Sequence, residues 1–561
     1  MKSIYLILVS ALFSLSACRT MQTDLDLNDL TDMTTYTGGM LVNCETYMGH
    51  QVTKILLNGS EIDNPDVMDL TSAGYYRIEI YLNRTDQTIP GVIRIVILDP
   101  ERGNADWGLP PWTPAAAETG EIGVESVRLV YPPAVPSGSS VPLIVLIGDE
   151  LLGSDQNLDA EAGSVRFRIK RGVGSAQVPA KSAGSAIKID NQSFPMDINT
   201  INSAPLLLSG VLPEDLDIPA GSYINISDDL TIPEGRLLTI GSGTFMIIDP
   251  GVNIYNHGSI SMGGTADAPV SVTCSNDGSW WGGFISTMAG NEMEAHFTIF
   301  CRSGSHSGGS YDWGHAHRQA LFYMEDGAML LDHCYMIDHV GQIFYPVSSD
   351  LSLTDCLVQR AKTGGQMNQS ELVMERCVFT DFPDDSYIYR DEDNDGLYLN
   401  ETNATINHSI FMYAKDDGLD SGASGGGVVS VTNSRFESNF HEGAALSSGN
   451  NVTKLHTISN CIFTNCGQGL ELGYSSPYHL AEVDSCSFIA NGIGIRYGDC
   501  YDFPHHGYIH VSNSESLENS WHDVWNMNRE HWAADTSHMS FDHVTVTKSY
   551  SLYPELIIYE N

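Results

Sequence analysis

The chain has 561 residues and a formal net charge of −43, from 70 acidic and 27 basic side chains. That length is enough for two or three domains. A surface this acidic repels nucleic acid, so partners that need a basic groove are excluded. The same charge argues against free binding of acidic polymers, unless a divalent cation bridges the polymer and the protein.

The first predicted element is an export signal. An apolar run at residues 4–15 follows a basic start and is too short for a permanent membrane-spanning helix. The run ends in Leu-Ser-Ala-Cys at residues 15–18, which resembles the lipobox of bacterial lipoproteins. The resemblance implies removal of residues 1–17, lipidation of Cys18, and anchoring to a bacterial outer membrane or cell surface through the lipid alone. An ordinary signal peptide is the alternative.

Two kinds of segment are predicted next. Residues 18–35 are rich in acids and predict a flexible acidic tether. Short alternating apolar runs then follow one another, separated by turn signals, which predicts two β-sandwich modules at residues 36–122 and 123–205. They look like the immunoglobulin-like spacers of bacterial surface proteins. A proline-rich stretch, residues 109–114, is expected to separate them.

Residues 206–561 form the last predicted domain, and its stretch from about Leu330 to Met527 repeats a short phrase: a polar residue, a Cys or Ser, any residue, then a large apolar one. The Cys/Ser positions recur at spacings from 21 residues (Cys356 to Cys377) to 32 residues (Cys377 to Ser409). A second series, Gly followed by an apolar residue, runs in step with the first. Short strands at such a period predict a right-handed parallel β-helix, with coils about 4.8 Å apart, in an all-β protein.

Superposed coils should stack equivalent side chains into internal ladders. The predicted aromatic ladder consists of Phe379, Phe411, Phe436, Phe463 and Phe488. The predicted small-residue ladder consists of Cys334, Cys356, Cys377, Ser409, Ser434, Cys461 and Cys486. Its cysteines are at least as compatible with buried free thiols as with disulfides. The stretch Trp521–Trp532 breaks the repeat and is expected to cap the open end.

The densest group of carboxylates lies between residues 391 and 420. Residues 391–396 read Asp-x-Asp-x-Asp-Gly, in which alternate carboxylates can converge on a hard cation. The Gly-Leu pairs at 396 and 418 bring the next coil into register. Several carboxylates within one coil spacing cannot all stay ionised without a cation, which predicts a Ca²⁺ site; solvated acidic turns are the alternative. The predicted ligands are Asp393, Asp395, Asp416, Asp417 and Asp420.

These segments also resemble a known family. Asp395-Gly-Leu followed by Asp-Asp-x-x-Asp at 416–420 is similar to the calcium cluster of family 9 polysaccharide lyases, which are pectate-lyase-like right-handed β-helices. The resemblance implies Ca²⁺ and β-elimination by a Lys that abstracts the proton α to a uronate carboxyl. Ala445 stands where that Lys belongs. Lys415 and His441 are the candidate bases closest in phase to the cluster.

Other residues near the cluster are candidates for substrate contact or for different chemistry. Aromatic stacking and charge make four of them candidates for substrate binding: Tyr387, Tyr389, Arg390 and Arg496. Glu442 and Glu471 lie one and two coils beyond Asp417 and could form the carboxylate pair of a glycosidase. Zinc is an alternative to ordinary polar turns for a further group of histidines: His306, His315, His317, His333 and His339.

These features predict a monomeric, lipid-anchored surface protein that recognises a polysaccharide along its β-helix groove. Cleavage by Ca²⁺-assisted β-elimination is one interpretation. The other is a non-catalytic adhesin or glycan-binding module in which calcium is structural. Ala445 favours the second interpretation, because β-elimination requires a base within hydrogen-bond reach of the α-proton.

Overall fold

The structure, a computed structural model, describes residues 22–30, 34–37, 40–57, 60–62, 67–70, 74–83, 91–98, 127–148, 157–179, 186–190, 192–276, 278–306, 311–314, 316–383, 393–421, 427–446, 455–472, 478–497, 506–519, 522–526, 538–547, 549–550 and 557–560. These residues form β-strands and turns with a single 3-10 helix, Leu27–Asp29, and none of their helices could cross a membrane. The predicted signal peptide and Cys18 lie outside them. Internal contacts divide the chain into two units, Met1–Pro111 with Arg529–Ala534, and the remainder.

The first unit contains a module of two β-sheets. Its buried core includes Val42 from one sheet and Ile55 and Ile78 from the other. The strands of the smaller sheet are Gln22–Asp26, Met40–Asn43 and Val67–Leu70. The strands of the larger sheet are Thr34–Thr37, Thr46–Tyr47, His50–Leu57, Ser60–Glu61, Gly74–Leu82 and Gly91–Leu98.

Part of the predicted tether, residues 18–35, is folded into this module. Strand Gln22–Asp26 pairs in parallel with Met40–Asn43, and Leu27 is fully buried. Apolar side chains among the acids supply burial energy that a solvated linker lacks. The expectation of a flexible tether is therefore wrong for residues 22–30.

The second module, residues 127–201, is a β-sandwich of two antiparallel sheets, as the turn spacing predicts. Leu143 from one sheet and Ile187 from the other belong to one buried core. The strands of the first sheet are Val127–Val130, Ser140–Ile147 and Val173–Pro179. Those of the second are Leu158–Ala162, Val165–Ile169, Ala186–Ile189 and Gln192–Pro195. A short parallel pair joins Ala134–Pro136 to Asn199–Ile201.

From Leu206 the chain winds into a parallel β-helix, which confirms the predicted fold class. Each full coil adds one strand to each of three parallel sheets, which we name sheets A, B and C. Sheet A contains Leu216–Ile218, Leu237–Gly241, Ser259–Gly263, Glu292–His296, Ala328–Asp332, Asp350–Thr354, Glu371–Glu375, Asn403–Asn407, Val429–Thr432, His456–Ser459, Tyr478–Asp484, His506–Ser512, His538–Asp542 and Ile557–Glu560.

Sheets B and C share the first two strands, Leu206–Val211 and Tyr223–Ile232. Sheet B continues with Phe245–Ile248, Val270–Cys274, Thr298–Cys301, Tyr335–Ile337, Leu357–Gln359, Val378–Phe382, Ile410–Ala414, Arg435–Glu437, Ile462–Thr464, Ser487–Ile489, Glu515–Leu517 and Thr545–Val546. Sheet C continues with Ile254–Asn256, Phe284–Ser286, Arg318–Glu325, Gln342–Val347, Thr363–Asn368, Leu397–Asn400, Leu419–Ser421, Glu442–Leu446, Gln468–Leu472, Ile493–Tyr497, His522–Asn526 and Ser549–Tyr550, and Asp312–Trp313 pairs with it in a hairpin.

The stretch expected to break the repeat, Trp521–Trp532, contributes a regular strand of sheet C. His522–Asn526 pairs in parallel with Ile493–Tyr497 of the coil before it. Winding then continues as far as Ile557–Glu560 of sheet A. A cap that begins at Trp521 is therefore wrong, and residues 527–537 lie outside the described residues.

Both predicted ladders are present inside the β-helix. The rings from Phe379 through Phe411, Phe436 and Phe463 to Phe488 lie in register on sheet B, with successive centroids 5.4, 5.3, 4.6 and 4.7 Å apart. Aromatic pairs of this kind add about 0.5–1.5 kcal/mol each beyond their area burial. The ladder cysteines are buried free thiols, which settles the alternative that the sequence left open.

The coils turn sharply at single residues in the left-handed backbone conformation. Between sheets A and B these include His333 and Asn433, with φ of 52° and 51°. After sheet B they include Ser438, Asn465 and Ala490, with φ of 58°, 56° and 60°. A residue with a Cβ costs about 1–2 kcal/mol there, and Asn is among the types that tolerate the conformation best.

Replacing Ala490 with Asn is expected to raise the free energy of unfolding by about 0.5–1 kcal/mol. The side chain of Asn465, in the same turn one coil earlier, donates to Ser438 Oγ at 2.9 Å, and Asn at 490 can repeat that bond. Denaturant titration of the two proteins measures the difference. Ala490→Val, which is β-branched, should change stability in the opposite direction; a variant with Asn that is less stable than the parent would contradict the argument.

The second module packs against the outward face of sheet B. Ile144 and Leu146 of the module share a buried cluster with Tyr335, Leu357 and Ile410 of the β-helix. These three side chains point away from the internal ladders, because the alternate residues of their strands face inward. The contact therefore buries an apolar strip that would otherwise face solvent.

Ion pairs strengthen the same contact. Lys170 Nζ pairs with Asp381 and lies 4.2 Å from the ring centroid of Tyr413. Arg171 Nε donates to Glu437 Oε2 at 2.8 Å. Burial acts to raise the pKa of Asp381, but the charge and hydrogen bond of Lys170 hold it below its ordinary value. The module therefore covers the outward face of sheet B on these coils.

Candidate functional site

One line of residues on sheet C, one residue from each coil, points outward. Strand register aligns Gln366, Tyr398, Asp420, Ala445, Glu471, Arg496 and Trp525, which we name the sheet C file. Their neighbours along the strands, such as Leu419 and Leu470, belong to the internal core. Because side chains alternate between the two faces of a strand, the file lies on the outward face. The file carries two acidic side chains, Asp420 and Glu471, and the cationic side chain of Arg496, on coils about 4.8 Å apart.

A cluster of carboxylates lies where successive coils enter sheet C. Asp417 N donates to Asp395 Oδ1 at 3.2 Å, and Glu442 N donates to Asp417 Oδ1 at 2.8 Å. These bonds connect three consecutive coils through their acidic side chains. Asp395, Asp417 and Glu442 are all nearly buried. The coils thus hold their acids together rather than spreading them through solvent.

Glycine permits this close approach. A Cβ on Gly396 would lie 2.2 Å from the carbonyl oxygen of Gly418, and a Cβ on Gly418 would lie 2.4 Å from Asn439 Nδ2. Either distance is far below a van der Waals contact. Asn439 fixes the turn before the cluster, since its Oδ1 accepts from Ala414 N at 3.1 Å. The Gly-Leu pairs used to set the register are therefore steric requirements of the site.

The cluster carries more negative charge than its surroundings can stabilise. Burial, followed by the charges of Asp416 and Asp417, raises the pKa of Asp395 well above its ordinary value. Burial and the same two charges raise the pKa of Asp420. Burial alone would raise the pKa of Asp417, yet hydrogen bonds with Glu442 and His441 bring it below its ordinary value.

Two glutamates extend the cluster along the β-helix. Burial and then the charge of Asp417 raise the pKa of Glu442 well above its ordinary value, and Gln468 Nε2 donates to this carboxylate. Burial alone would raise the pKa of Glu471, but its ion pair with Arg496 holds it lower. The sequence pattern offers the two glutamates as a separate glycosidase pair. In the structure Glu471 belongs to the same file as Asp420, and Glu442 is in register with Gln468.

The predicted metal ligands come together in the structure. Asp395, Asp416, Asp417 and Asp420 act on one another, and Asp393 adds charge to Asp395 and Asp420. Such oxygen donors fit the hard, variable coordination of Ca²⁺. Whether an ion binds here stays a prediction.

The two candidate bases have different environments. Lys415 is 3% exposed, and its Nζ donates to the carbonyl oxygen of Pro383 at 2.9 Å. His441 belongs to the cluster, with Nδ1 3.5 Å from Asp416 Oδ1 and 3.4 Å from Asp417 Oδ1. His441 is thus the better placed of the two, and a catalytic role for either stays a prediction.

The predicted substrate contacts are less accessible. Arg496 is 1% exposed and pairs with Glu471, so a direct contact with substrate stays a prediction that this burial does not favour. Tyr387, Tyr389 and Arg390 lie outside the described residues.

The described members of the predicted zinc group of five histidines do not form one metal-type grouping. His339 is buried, and its ring nitrogens contact Ser303 Oγ at 2.7 Å and the Phe300 carbonyl at 3.1 Å. Burial lowers the pKa of His339 to about 4. Among the described residues, the metal-type groupings include neither His306 nor His317, and His315 lies outside the described part of the chain. Of the four described histidines, only His333 joins such a grouping, with Asp332 and Asp355.

Comparison with known proteins gives little further guidance. No protein-family model and no curated protein matches the chain. Among solved structures, a double mutant of the periplasmic alginate epimerase AlgG aligns with a TM-score of 0.32 and 10% identity, over 61% of this chain and 77% of that one. The catalytic unit of a GH87 α-1,3-glucanase from Streptomyces thermodiastaticus aligns with a TM-score of 0.23 and 9% identity, over 78% and 98%. Likenesses this distant carry no argument about function.

Proposed function

We propose that this protein binds an acidic, uronate-containing polysaccharide through Ca²⁺ at the carboxylate cluster beside sheet C. The observation that supports the proposal is the group of buried aspartates from consecutive coils, in which Asp395 and Asp420 have raised pKa values because of burial and the neighbouring charges. A bound cation relieves that repulsion. It also provides positive charge on a chain whose net charge of −43 would otherwise repel an acidic glycan.

The residues proposed to hold the ion are Asp393, Asp395, Asp416, Asp417 and Asp420. When bound, Ca²⁺ supplies coordination positions for carboxylates from outside the protein. With the lipid attachment proposed at Cys18, binding takes place at a bacterial outer membrane or cell surface. Within the sheet C file Asp420 is partly exposed and the other six members are buried, so the glycan is proposed to reach the ion at Asp420.

Binding of the polysaccharide has stronger support than its cleavage. Ala445 is the residue of the sheet C file between Asp420 and Glu471, and its methyl group cannot accept a proton. Lys415 is buried against a backbone carbonyl. The specific observation in favour of cleavage is His441, an imidazole among the carboxylates that is able to accept the α-proton in β-elimination.

Binding of polygalacturonate and alginate is the first test, by calorimetry in Ca²⁺ and again in EDTA. We expect Ca²⁺-dependent binding that weakens at least tenfold in Asp420→Asn, because the substitution removes one carboxylate from the proposed ligand set. Asp350→Asn, an exposed aspartate on sheet A, is the matched control and should bind as the parent does. Binding that persists in EDTA, or no binding to either uronan, would contradict the proposal.

The same mixtures separate recognition from cleavage. Ca²⁺-dependent absorbance of an unsaturated uronate that disappears in His441→Asn would identify a lyase. Release of reducing ends without that absorbance would indicate hydrolysis and direct attention to Glu442 and Glu471. Binding with neither signal is the result expected from Ala445.

A further inference from the structure

The carboxylate cluster contains a nitrogen donor as well as acids. His441 lies one coil after Asp416, and its backbone N donates to the carbonyl oxygen of Asp416 at 3.2 Å. The carbonyl oxygen of His441 accepts from Gln468 N, on the following coil, at 2.7 Å. These two bonds fix the His441 backbone between its neighbouring coils, so the imidazole is held beside the acids of the preceding coil.

One ring nitrogen of His441 approaches two aspartates. Nδ1 lies 3.5 Å from Asp416 Oδ1 and 3.4 Å from Asp417 Oδ1, and donor atoms of the three side chains all lie within 4.8 Å of one another. Ligand atoms around a tetrahedral Zn²⁺ lie about 3.3 Å apart, given bond lengths of about 2.0–2.1 Å. The nitrogen is thus separated from each oxygen by nearly the distance that shared coordination of one ion requires.

A third carboxylate faces the same nitrogen. Glu442 is 1% exposed, and its Oε2 contacts His441 Nδ1 but makes no hydrogen bond with the described residues. Three carboxylate oxygens therefore surround one nitrogen, whose single proton can be donated to only one of them. A divalent cation between the imidazole and the acids would compensate more of this negative charge than that proton does.

The second metal-type grouping among the described residues has a different charge balance. It consists of Asp332, His333 and Asp355. Arg376 donates to both oxygens of Asp355, at 3.0 and 2.7 Å, so a permanent cation already compensates that carboxylate. The grouping at His441 is therefore the better candidate. Its imidazole is 23% exposed and the two aspartate side chains are 12% and 11% exposed, so an ion from solution can reach them.

We propose that His441 Nδ1, Asp416 Oδ1 and Asp417 Oδ1 bind a divalent transition-metal ion such as Zn²⁺, next to the Ca²⁺ of the proposed function. This second position rests on the proposed function, because the two ions share both aspartates; the other three aspartates of the cluster are ligands of Ca²⁺ alone. Imidazole nitrogen selects Zn²⁺ and its neighbours, whereas Ca²⁺ takes oxygen ligands. An ion here displaces any proton from Nδ1.

Occupation of this position decides what His441 can do. A nitrogen that is bound to a metal ion has no lone pair for the α-proton, so Nδ1 is not the base of a β-elimination while the ion is present. Three protein ligands leave a fourth coordination position, which a carboxylate or hydroxyl group of the glycan can take. The second ion therefore favours binding of the polysaccharide over its cleavage.

Titration of the metal-free full chain in saturating Ca²⁺ tests the proposal, with Zn²⁺ followed by calorimetry and Co²⁺ by visible absorption. We expect a Zn²⁺ site that His441→Asn weakens by at least about tenfold, and a Co²⁺ spectrum of imidazole ligation that the same substitution removes. Affinity for Ca²⁺ without Zn²⁺ should change less than about twofold in His441→Asn, because Ca²⁺ takes oxygen ligands.

His408→Asn is the matched control, because His408 Nδ1 lies 3.4 Å from one carboxylate oxygen, of Glu375, and belongs to no metal-type grouping of the described residues. His333→Asn tests the second grouping. Both variants should keep the Co²⁺ spectrum of the parent. Melting in EDTA shows whether each variant is folded.

Three results would overturn the second position: no Zn²⁺ binding by the parent, displacement of Ca²⁺ by Zn²⁺ one for one, or unchanged Zn²⁺ affinity in a His441→Asn variant that melts cooperatively. Glycan binding that still depends on Ca²⁺ would leave the proposed function standing in each case. Conversely, a Co²⁺ spectrum that His441→Asn removes, without Ca²⁺-dependent glycan binding, would support the second position and contradict the proposed function.

Discussion

Chelation of Ca²⁺ is expected to lower the melting temperature of the protein by about 3–5 °C. An ion present at about 100 times its dissociation constant stabilises the folded state by about 2.7 kcal/mol, and a large domain loses about 2 °C or less per kcal/mol. In the apo protein the like charges around Asp395 and Asp420 remain uncompensated. Scanning calorimetry in excess Ca²⁺ and in excess EDTA measures the difference.

Asp420→Asn should invert this response. In EDTA the variant is expected to melt above the parent, because one repelling charge is gone; in Ca²⁺ it should melt below the parent, because a ligand is gone. Asp350→Asn should follow the parent in both buffers. If the melting temperature of the parent protein is the same in Ca²⁺ and in EDTA, the proposed calcium site is contradicted.

The pH dependence in EDTA follows from the same charges. Asp395 and Asp420 have folded pKa values above the unfolded value of about 4, so the folded state binds more protons than the unfolded state between these values. Their contribution to stability is greatest at low pH and is lost as the pH rises through the folded pKa values. Saturating Ca²⁺ should flatten that part of the profile.

Arg496→Met is expected to cost about 3–5 kcal/mol of stability at pH 7, because it leaves the Glu471 carboxylate buried without its partner. Glu471 is 3% exposed; burial acts to raise its pKa, and Arg496 comes first among the groups that lower it. Chemical denaturation measures the loss. Arg435→Met is the control, since Glu437 keeps its bond with Arg171 and a loss of only about 1 kcal/mol or less is expected.

A double variant distinguishes the effect of breaking the ion pair from the effect of losing side-chain packing. Arg496→Met combined with Glu471→Met removes both charges and should recover most of the stability. In Arg496→Met alone the pKa of Glu471 rises, so its stability deficit should shrink as acid protonates the carboxylate. A single variant as stable as the parent would show that the pair contributes nothing.

The β-helix was predictable from the sequence because the residues that stack on successive coils recur at a regular spacing. Phe411 and Phe436 occur at the same point of a repeated phrase, and coils that superpose must stack such residues. The same logic placed Asp395 beside Asp417 through the two Gly-Leu pairs. The register of Glu442 and Glu471 with these acids follows from the same series, but their membership of one buried cluster depends on burial and hydrogen bonds that the series does not give.

The packing of the second module on sheet B could not be predicted from the phrase alone. The third residue of the phrase has no fixed type, and on the covered coils it is Tyr335, Leu357, Val378 and Ile410. It becomes Arg435 on the next coil. The third residue is apolar again at Ile462, which is 39% exposed, so the phrase alone does not mark the covered coils. The covering partner is fixed by contacts such as that of Lys170 with Asp381, 211 positions apart.

This covered strip has a consequence for dissecting the molecule. A fragment that begins at Leu206 would present Tyr335, Leu357 and Ile410 to water, together with the acids that Lys170 and Arg171 now neutralise. Such a surface exposes apolar area next to the carboxylates of Asp381 and Glu437, which have lost Lys170 and Arg171 as partners. Exposed apolar area of this kind promotes self-association. Expression of the β-helix should therefore retain the chain from Val127 onward, so that the second module and the β-helix are produced and purified together.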